Sequence, residues 1–204
     1  MKSVDANDSL DEYLKQFDIE RFEGYSAQVE QQVELLKKLA SNNNIKNILE
    51  IGFNAGHSAE IFLSSNKSAT VTSFDVNRHK YTLLGKDYID QTYPKRHTLI
   101  TGNSLVEVPK FTALNPDTTF DLIFIDGGHQ YHVAKDDIKN CCNLAHADTI
   151  VIMDDTINNS ELLRRWNDGP NKAWKEAIDT GMVNQLDSAD WTFGRGCSWG
   201  NYIV

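Results

Sequence analysis

With 204 residues, 40% hydrophobic and 24% charged, the chain can bury one substantial core without disulfides or a structural metal, and it is too apolar to stay disordered. Its formal net charge is -9 and its Lys and Arg residues are scattered, which excludes the basic footprint of a nucleic-acid binder and points to a small-molecule partner. Cys141, Cys142 and Cys197 have neither zinc-ribbon nor redox-pair spacing, so a reducing compartment is expected. Met1 to Asp11 is polar, unlike a secretory signal, and no run approaches the ~20 apolar residues of a membrane span, so the expected location is cytoplasmic, with no membrane partner.

From the N-terminus, Phe22, Tyr25, Val29, Val33, Leu36 and Leu39 recur at spacings of three and four, which predicts an amphipathic helix over Ile19 to Leu39 with an irregular start near Gly24. Ser41 to Asn44 then reads as a loop. Short apolar runs follow at Ile48 to Ile51, Val71 to Phe74, Thr98 to Ile100, Leu122 to Ile125 and Ile150 to Met153, separated by helix-like segments. This alternation predicts an α/β layer architecture with a mainly parallel sheet, because parallel strands need long crossovers that cover both faces. Trp191 to Val204, with Gly194, Gly196 and Gly200 among aromatics, reads as a terminal hairpin or edge strands.

The first strand runs from Ile48 through Glu50 into a turn with Gly52, Asn54 and Gly56, then into a helix that begins near His57 and Ser58. Glycines there let the backbone approach a ligand closely, and the helix N-terminus offers unpaired N–H groups. The second strand ends in Asp75, where a carboxylate can accept from two ribose hydroxyls. After the third comes the turn Gly102-Asn103-Ser104, whose side chains could contact an adenine edge.

The order and spacing of Glu50-x-Gly52-x-x-x-Gly56, Asp75 and Gly102-Asn103-Ser104 resemble the cofactor motifs of class I methyltransferases over roughly two-thirds of the chain. The resemblance implies a Rossmann-like, doubly wound, mainly parallel seven-stranded sheet with helices on both faces. It further implies one methyltransferase domain over 1–204, with 1–44 an N-terminal helical segment and 45–204 the Rossmann-like core. In such proteins the glycine turn holds the methionine part of S-adenosylmethionine, the second-strand acid its ribose, and the third-strand turn borders the adenine. Glu23, Gly24 and Tyr25 resemble the segment that covers the cofactor in small-molecule O-methyltransferases.

A fourth strand delivers Asp126, Gly127, Gly128 and His129 to one loop, and the fifth ends in Asp154-Asp155. If these strands are neighbours, three carboxylates meet where open α/β sheets place ligands, and their repulsion invites a divalent cation. All-oxygen ligation favours Mg²⁺, Ca²⁺ or Mn²⁺ over zinc. Successive strand residues point to opposite faces, so Asp154 and Asp155 reach one ion together only where the strand has turned into loop. Asp126-Gly127-Gly128-His129, followed by Tyr131 and Asp136-Asp137, is similar to the metal-dependent O-methyltransferase branch with an Asp-Gly-x-His loop, the methyltransferase family 24 type. That resemblance implies a Mg²⁺ site at Asp126, Asp154 and Asp155, His129 as the base that deprotonates an acceptor hydroxyl, and Asp126 bordering the cofactor. His129 stands where relatives acting on catechols carry lysine, which points to hydroxyls of sugars or natural products. A homodimer is a fold-level expectation.

Other readings stay open at this stage. For Asp126 the alternative is a turn carboxylate and for His129 a helix cap, while Trp166, Trp174 and Asn167 to Pro170 lie where related enzymes often build the acceptor pocket and a lid, with ordinary packing the favoured reading. A dinucleotide-dependent oxidoreductase is disfavoured because its third fingerprint glycine is missing. Metal-free N- or carboxyl-methylation and a non-catalytic nucleotide-binding module are the remaining alternatives.

Overall fold

The computed structural model describes residues 4, 9–22, 24–192 and 194–204, so Glu23 and most of the polar N-terminal stretch lie outside the described residues. Two helices, α1 (Leu10–Lys15) and α2 (Glu30–Ala40), precede the sheet. Five strands then alternate with helices: β1 (Asn47–Ile51), α3 (His57–Ser65), β2 (Thr70–Asp75), α4 (Lys80–Thr92), β3 (His97–Thr101), α5 (Ser104–Leu114), β4 (Phe120–Ile125), α6 (Tyr131–Cys142) and β5 (Ala145–Asp154). The chain closes with α7 (Asp168–Asp179), β6 (Val183–Asp190) and β7 (Gly196–Tyr202). The sheet order is β3-β2-β1-β4-β5-β7-β6, parallel from β3 to β5 and antiparallel at both edges of β7. This is the expected doubly wound, mainly parallel seven-stranded sheet.

Strand periodicity divides the core in two. Ile48, Leu122, Phe124 and Ile152 point to the face covered by α1 to α4. Leu49, Ile51, Ile123, Ile125, Val151 and Met153 point to the other, covered by α5 to α7. Both faces are apolar, which is why these strands read as continuous hydrophobic runs rather than as alternating ones.

Two expected elements differ. The helix foreseen from Ile19 begins only at Glu30, after a 3-10 turn at Ser26–Gln28. Phe22 and Tyr25 serve another purpose: they pack edge-on to each other and against His57, at centroid distances of 5.1 and 4.4 Å, instead of extending a helical stripe. At the C-terminus β7 is not an edge strand, since it lies between β5 and β6, and its hairpin partner β6 precedes the stretch expected to form the hairpin. The outer strand β6 exposes Asn184, Gln185, Leu186 and Asp187 in succession, so it carries no apolar signal. Among the described residues no helix is long and apolar enough to cross a membrane.

The turn after β1 is clamped by backbone contact with α4. A Cβ added at Gly85 would stand 1.9 Å from the Ala55 carbonyl oxygen. Helix α4 can therefore seat against the turn only with glycine there. Gly85→Ala is expected to lower unfolding free energy by about 1–3 kcal/mol, read from urea denaturation. An unchanged midpoint and slope would show that the turn yields without cost.

Candidate active site

The strand order reverses between β1 and β4, and the crevice outside their carboxyl ends is where open α/β sheets bind ligands. Gly52, at φ 96°, sits so close to the next loop that a Cβ there would lie 1.9 Å from the Asp126 carbonyl oxygen. Any side chain would push the two loops apart. A cleft of about 390 Å³ opens above them, walled by Gly52, Asn54, Asp75, Ser104, Asp126 and His129 among others. The Asp75 carboxylate accepts from the backbone N–H of Asn54 at 2.8 Å and of Asn77 at 2.6 Å, which aims it and leaves lone pairs for a ligand. Asn54 also donates to the Gly24 carbonyl at 3.1 Å, joining the N-terminal segment to the turn.

Several expected cofactor residues stand behind this wall rather than on it. Glu50 is fully buried and accepts from the hydroxyls of Ser58 and Ser73. Burial pushes its carboxyl up to about 7, against the pull of the two hydroxyls and with a further push from Asp75. Glu50 and Ser58 thus tie β1 to α3 and β2. Gly56 caps α3 in the left-handed region, and Tyr25 lies over His57, which pairs with Asp11 at 2.8 Å. The Asn103 side chain accepts from Leu105 N–H as the N-cap of α5, leaving Ser104 to face the cleft.

At the other end of the cleft, ligand atoms of Asp126, His129 and Asp155 lie within 4.8 Å of one another. This differs from the expected Asp126, Asp154 and Asp155. Asp154 is the last residue of β5 and points, like Ile152, towards α2, where Gln32 Nε2 reaches both of its oxygens at 2.9 Å and Cys197 Sγ stands 3.0 Å away. Asp155 has left the strand at φ 56° and turns towards His129, whose Nε2 is 3.0 Å from its Oδ2. Asp154 still acts through its charge. Burial, then Asp154 and Asp155, hold the Asp126 carboxyl well above the usual range, and no side-chain hydrogen bond reaches that carboxyl among the described residues. The Asp155 contact raises the His129 imidazole against the opposing effect of burial. A carboxyl that faces the cleft with no side-chain hydrogen bond among the described residues, beside a second carboxylate at Asp155, fits a divalent cation.

Three members of this network carried no signal in our reading of the sequence. Gln32 occupies a buried position on α2 where the helical stripe calls for an apolar residue, and that mismatch is the signal that could have found it. Cys197 on β7 and Arg195 before it approach from the far end of the chain. Arg195 Nη1 is 3.4 Å from Asp155 Oδ1 and its Nη2 is 3.8 Å from Asp154 Oδ2. Asn167 secures the same corner by donating to the carbonyls of Asp155 and Gly194 at 2.7 and 2.8 Å, while Trp174 is buried and donates to Gln185.

Asp137 on α6 lies beneath the Asp126 loop, with Oδ2 3.0 Å from where a Cβ of Gly127 would stand, and neither oxygen has a hydrogen-bond partner among the described residues. Burial pushes this carboxyl up to about 7, with the nearby Ser104 hydroxyl opposing only in part. From the ordinary carboxylate range up to pH 7 the unfolded chain releases this proton while the folded chain keeps it, so stability falls as pH rises through that window. Asp137→Asn is expected to exceed the parent in stability at pH 8, by roughly 2–4 kcal/mol, with the gain shrinking towards pH 4. Parallel curves of Tm against pH for the two proteins would remove Asp137 from this account.

A family model described as a methyltransferase domain matches residues 49–156, just over half of the chain. No curated protein matches the sequence. Among solved structures, an O-methyltransferase from Bacillus cereus in complex with SAH superposes with a TM-score of 0.76 at 17% identity, over 94% of this chain and 90% of that one. The O-methyltransferase TomG from Streptomyces achromogenes, involved in tomaymycin synthesis and in complex with SAM, gives 0.71 at 14% identity, over 95% and 87%. A TDP-rhamnose 3'-O-methyltransferase of calicheamicin biosynthesis gives 0.63 at 18% identity, over 85% and 78%.

Proposed function

We propose that this chain, which belongs to the methyltransferase-domain family, transfers a methyl group from S-adenosylmethionine to a hydroxyl of a small metabolite, sugar or natural product. One observation carries the reading. A single cleft is walled by Asp75 at one end and by Asp126 and His129 at the other, so a nucleoside-bearing donor and an acceptor can share it.

In this reading Asp75 takes the ribose, the turn from Gly52 to Gly56 the methionine portion, and Ser104 the adenine border. Glu50 and Ser58 keep that turn in place, Asn103 holds the helix behind Ser104, and Tyr25 packs over the start of α3 at the cofactor's flank. Asp126 and Asp155 would hold a divalent cation such as Mg²⁺, with Asp154 adding charge from behind. When bound, the donor supplies an electrophilic sulfonium methyl and the cation lowers the pKa of the acceptor hydroxyl. His129 is assigned to the proton: its neutral imidazole can accept it from the acceptor hydroxyl, and the Asp155 carboxylate 3.0 Å from Nε2 favours the imidazolium that results. Its side chain is 43% exposed, so it can reach a substrate. Asp155 orients it, and the narrow crevice aligns the reactants.

Calorimetric titration with S-adenosylmethionine, with and without Mg²⁺, tests the reading. Binding on the order of -8 kcal/mol is expected, abolished by Asp75→Ala. With hydroxylated acceptors, His129→Ala is expected to lower kcat by about 10²–10⁴-fold, and chelator to suppress turnover. Absence of cofactor binding would overturn the function, whereas chelator-resistant turnover would leave methyl transfer and remove the cation.

A further inference from the structure

We propose that Arg195 is a tethered counter-ion of the carboxylate site, competing with a divalent cation and setting the site's affinity for it. The proposal rests on the reading that Asp126 and Asp155 take the cation.

Arg195 belongs to the turn joining β6 to β7, where its carbonyl accepts from Trp191 N–H and its N–H donates to Thr192, both at 2.9 Å. Its side chain is 12% exposed and runs inward to the carboxylates. Burial alone would favour loss of the charge, but Asp154, Asp155 and Asp126 outweigh it and keep the guanidinium protonated. The guanidinium adds a full positive charge to the neutral contacts that Gln32 and Cys197 make with Asp154, where burying like charges together is costly.

The contacts are those of a charge held by a field rather than locked by matched hydrogen bonds. Arginine and carboxylate in a locked pair meet at about 2.7–2.9 Å, often through two bonds. Here each carboxylate meets one nitrogen, at 3.4 and 3.8 Å, while Nη2 donates to the neutral Gln32 oxygen at 3.2 Å. Nε is buried with no acceptor among the described residues. Withdrawal of the side chain gives up two long hydrogen bonds, to Asp155 at 3.4 Å and to Gln32 at 3.2 Å. A cation at Asp126 and Asp155 would share the Asp155 carboxylate with Arg195 and repel the guanidinium beside it, so each weakens the other's hold. Arg195 leads from that turn, where the amides of Trp191 and Arg195 make bonds outside the β6–β7 ladder and report on displacement of the side chain.

The test is titration of the chelator-stripped protein with Mn²⁺ by calorimetry, comparing the parent with Arg195→Gln, which keeps a polar side chain but carries no charge. Tighter binding by the variant, at least tenfold, is expected. In the parent, Mn²⁺ should also lower hydrogen-exchange protection across 191–196. Equal or weaker binding by the variant overturns the competition while leaving the cation site standing. Mn²⁺ binding to neither protein overturns both. Should Arg195→Gln fail to fold, the parent decides the matter: Mn²⁺ binding that leaves exchange across 191–196 unchanged overturns the proposal.

Discussion

Asp126, Asp154 and Asp155 bring three carboxyl groups to the ends of two neighbouring strands, and burying like charges at one point obliges the surrounding structure to compensate them. The compensation is gathered from across the chain. Gln32 comes from the helix before the sheet, His129 from the loop after β4, and Cys197 and Arg195 from the C-terminal hairpin. The bond between Arg195 and Gln32 joins residues 163 positions apart. Helix α2 and the β6–β7 hairpin are thus tied together at the reaction end of the cleft.

The end of the cleft at Asp75 is organised by backbone proximity instead of charge. Gly52 lets the turn after β1 touch the loop after β4, and Gly85 lets α4 touch the same turn from the other side. Glu50 is held from below by two serine hydroxyls. The turn is therefore packed and bonded from three directions, and Asp75 is aimed by the amide of Asn54 within it. Such preorganisation suits a site that must present its groups without rearranging.

Both halves meet in one cleft because the sheet reverses its order between β1 and β4. Asp137 shows a cost of that placement, since α6 seats an unpartnered carboxyl under the Asp126 loop. Arg195 shows a second. An arginine approaching from β7 relieves the crowding of charge, but its Nε is buried without an acceptor among the described residues.

The strands β1 to β5, the glycine turn, Asp75 and the loop from Asp126 to His129 were legible in the sequence, because parallel strands buried on both faces leave apolar runs and their carboxyl ends carry the polar residues. Strand β6 was not, since a solvated edge has no such run. Nor could local pattern separate Asp154 from Asp155: adjacent in sequence, they diverge only because the strand ends between them and Asp155 turns at φ 56°. The apolar periods and turn residues of the sequence by themselves determined the layers of this protein and the strand ends that bear its chemistry. Only the tertiary structure decided which carboxylates converge and that Gln32, Cys197 and Arg195 answer them, because side chains from opposite ends of the chain become neighbours only after the sheet has closed over its two cores.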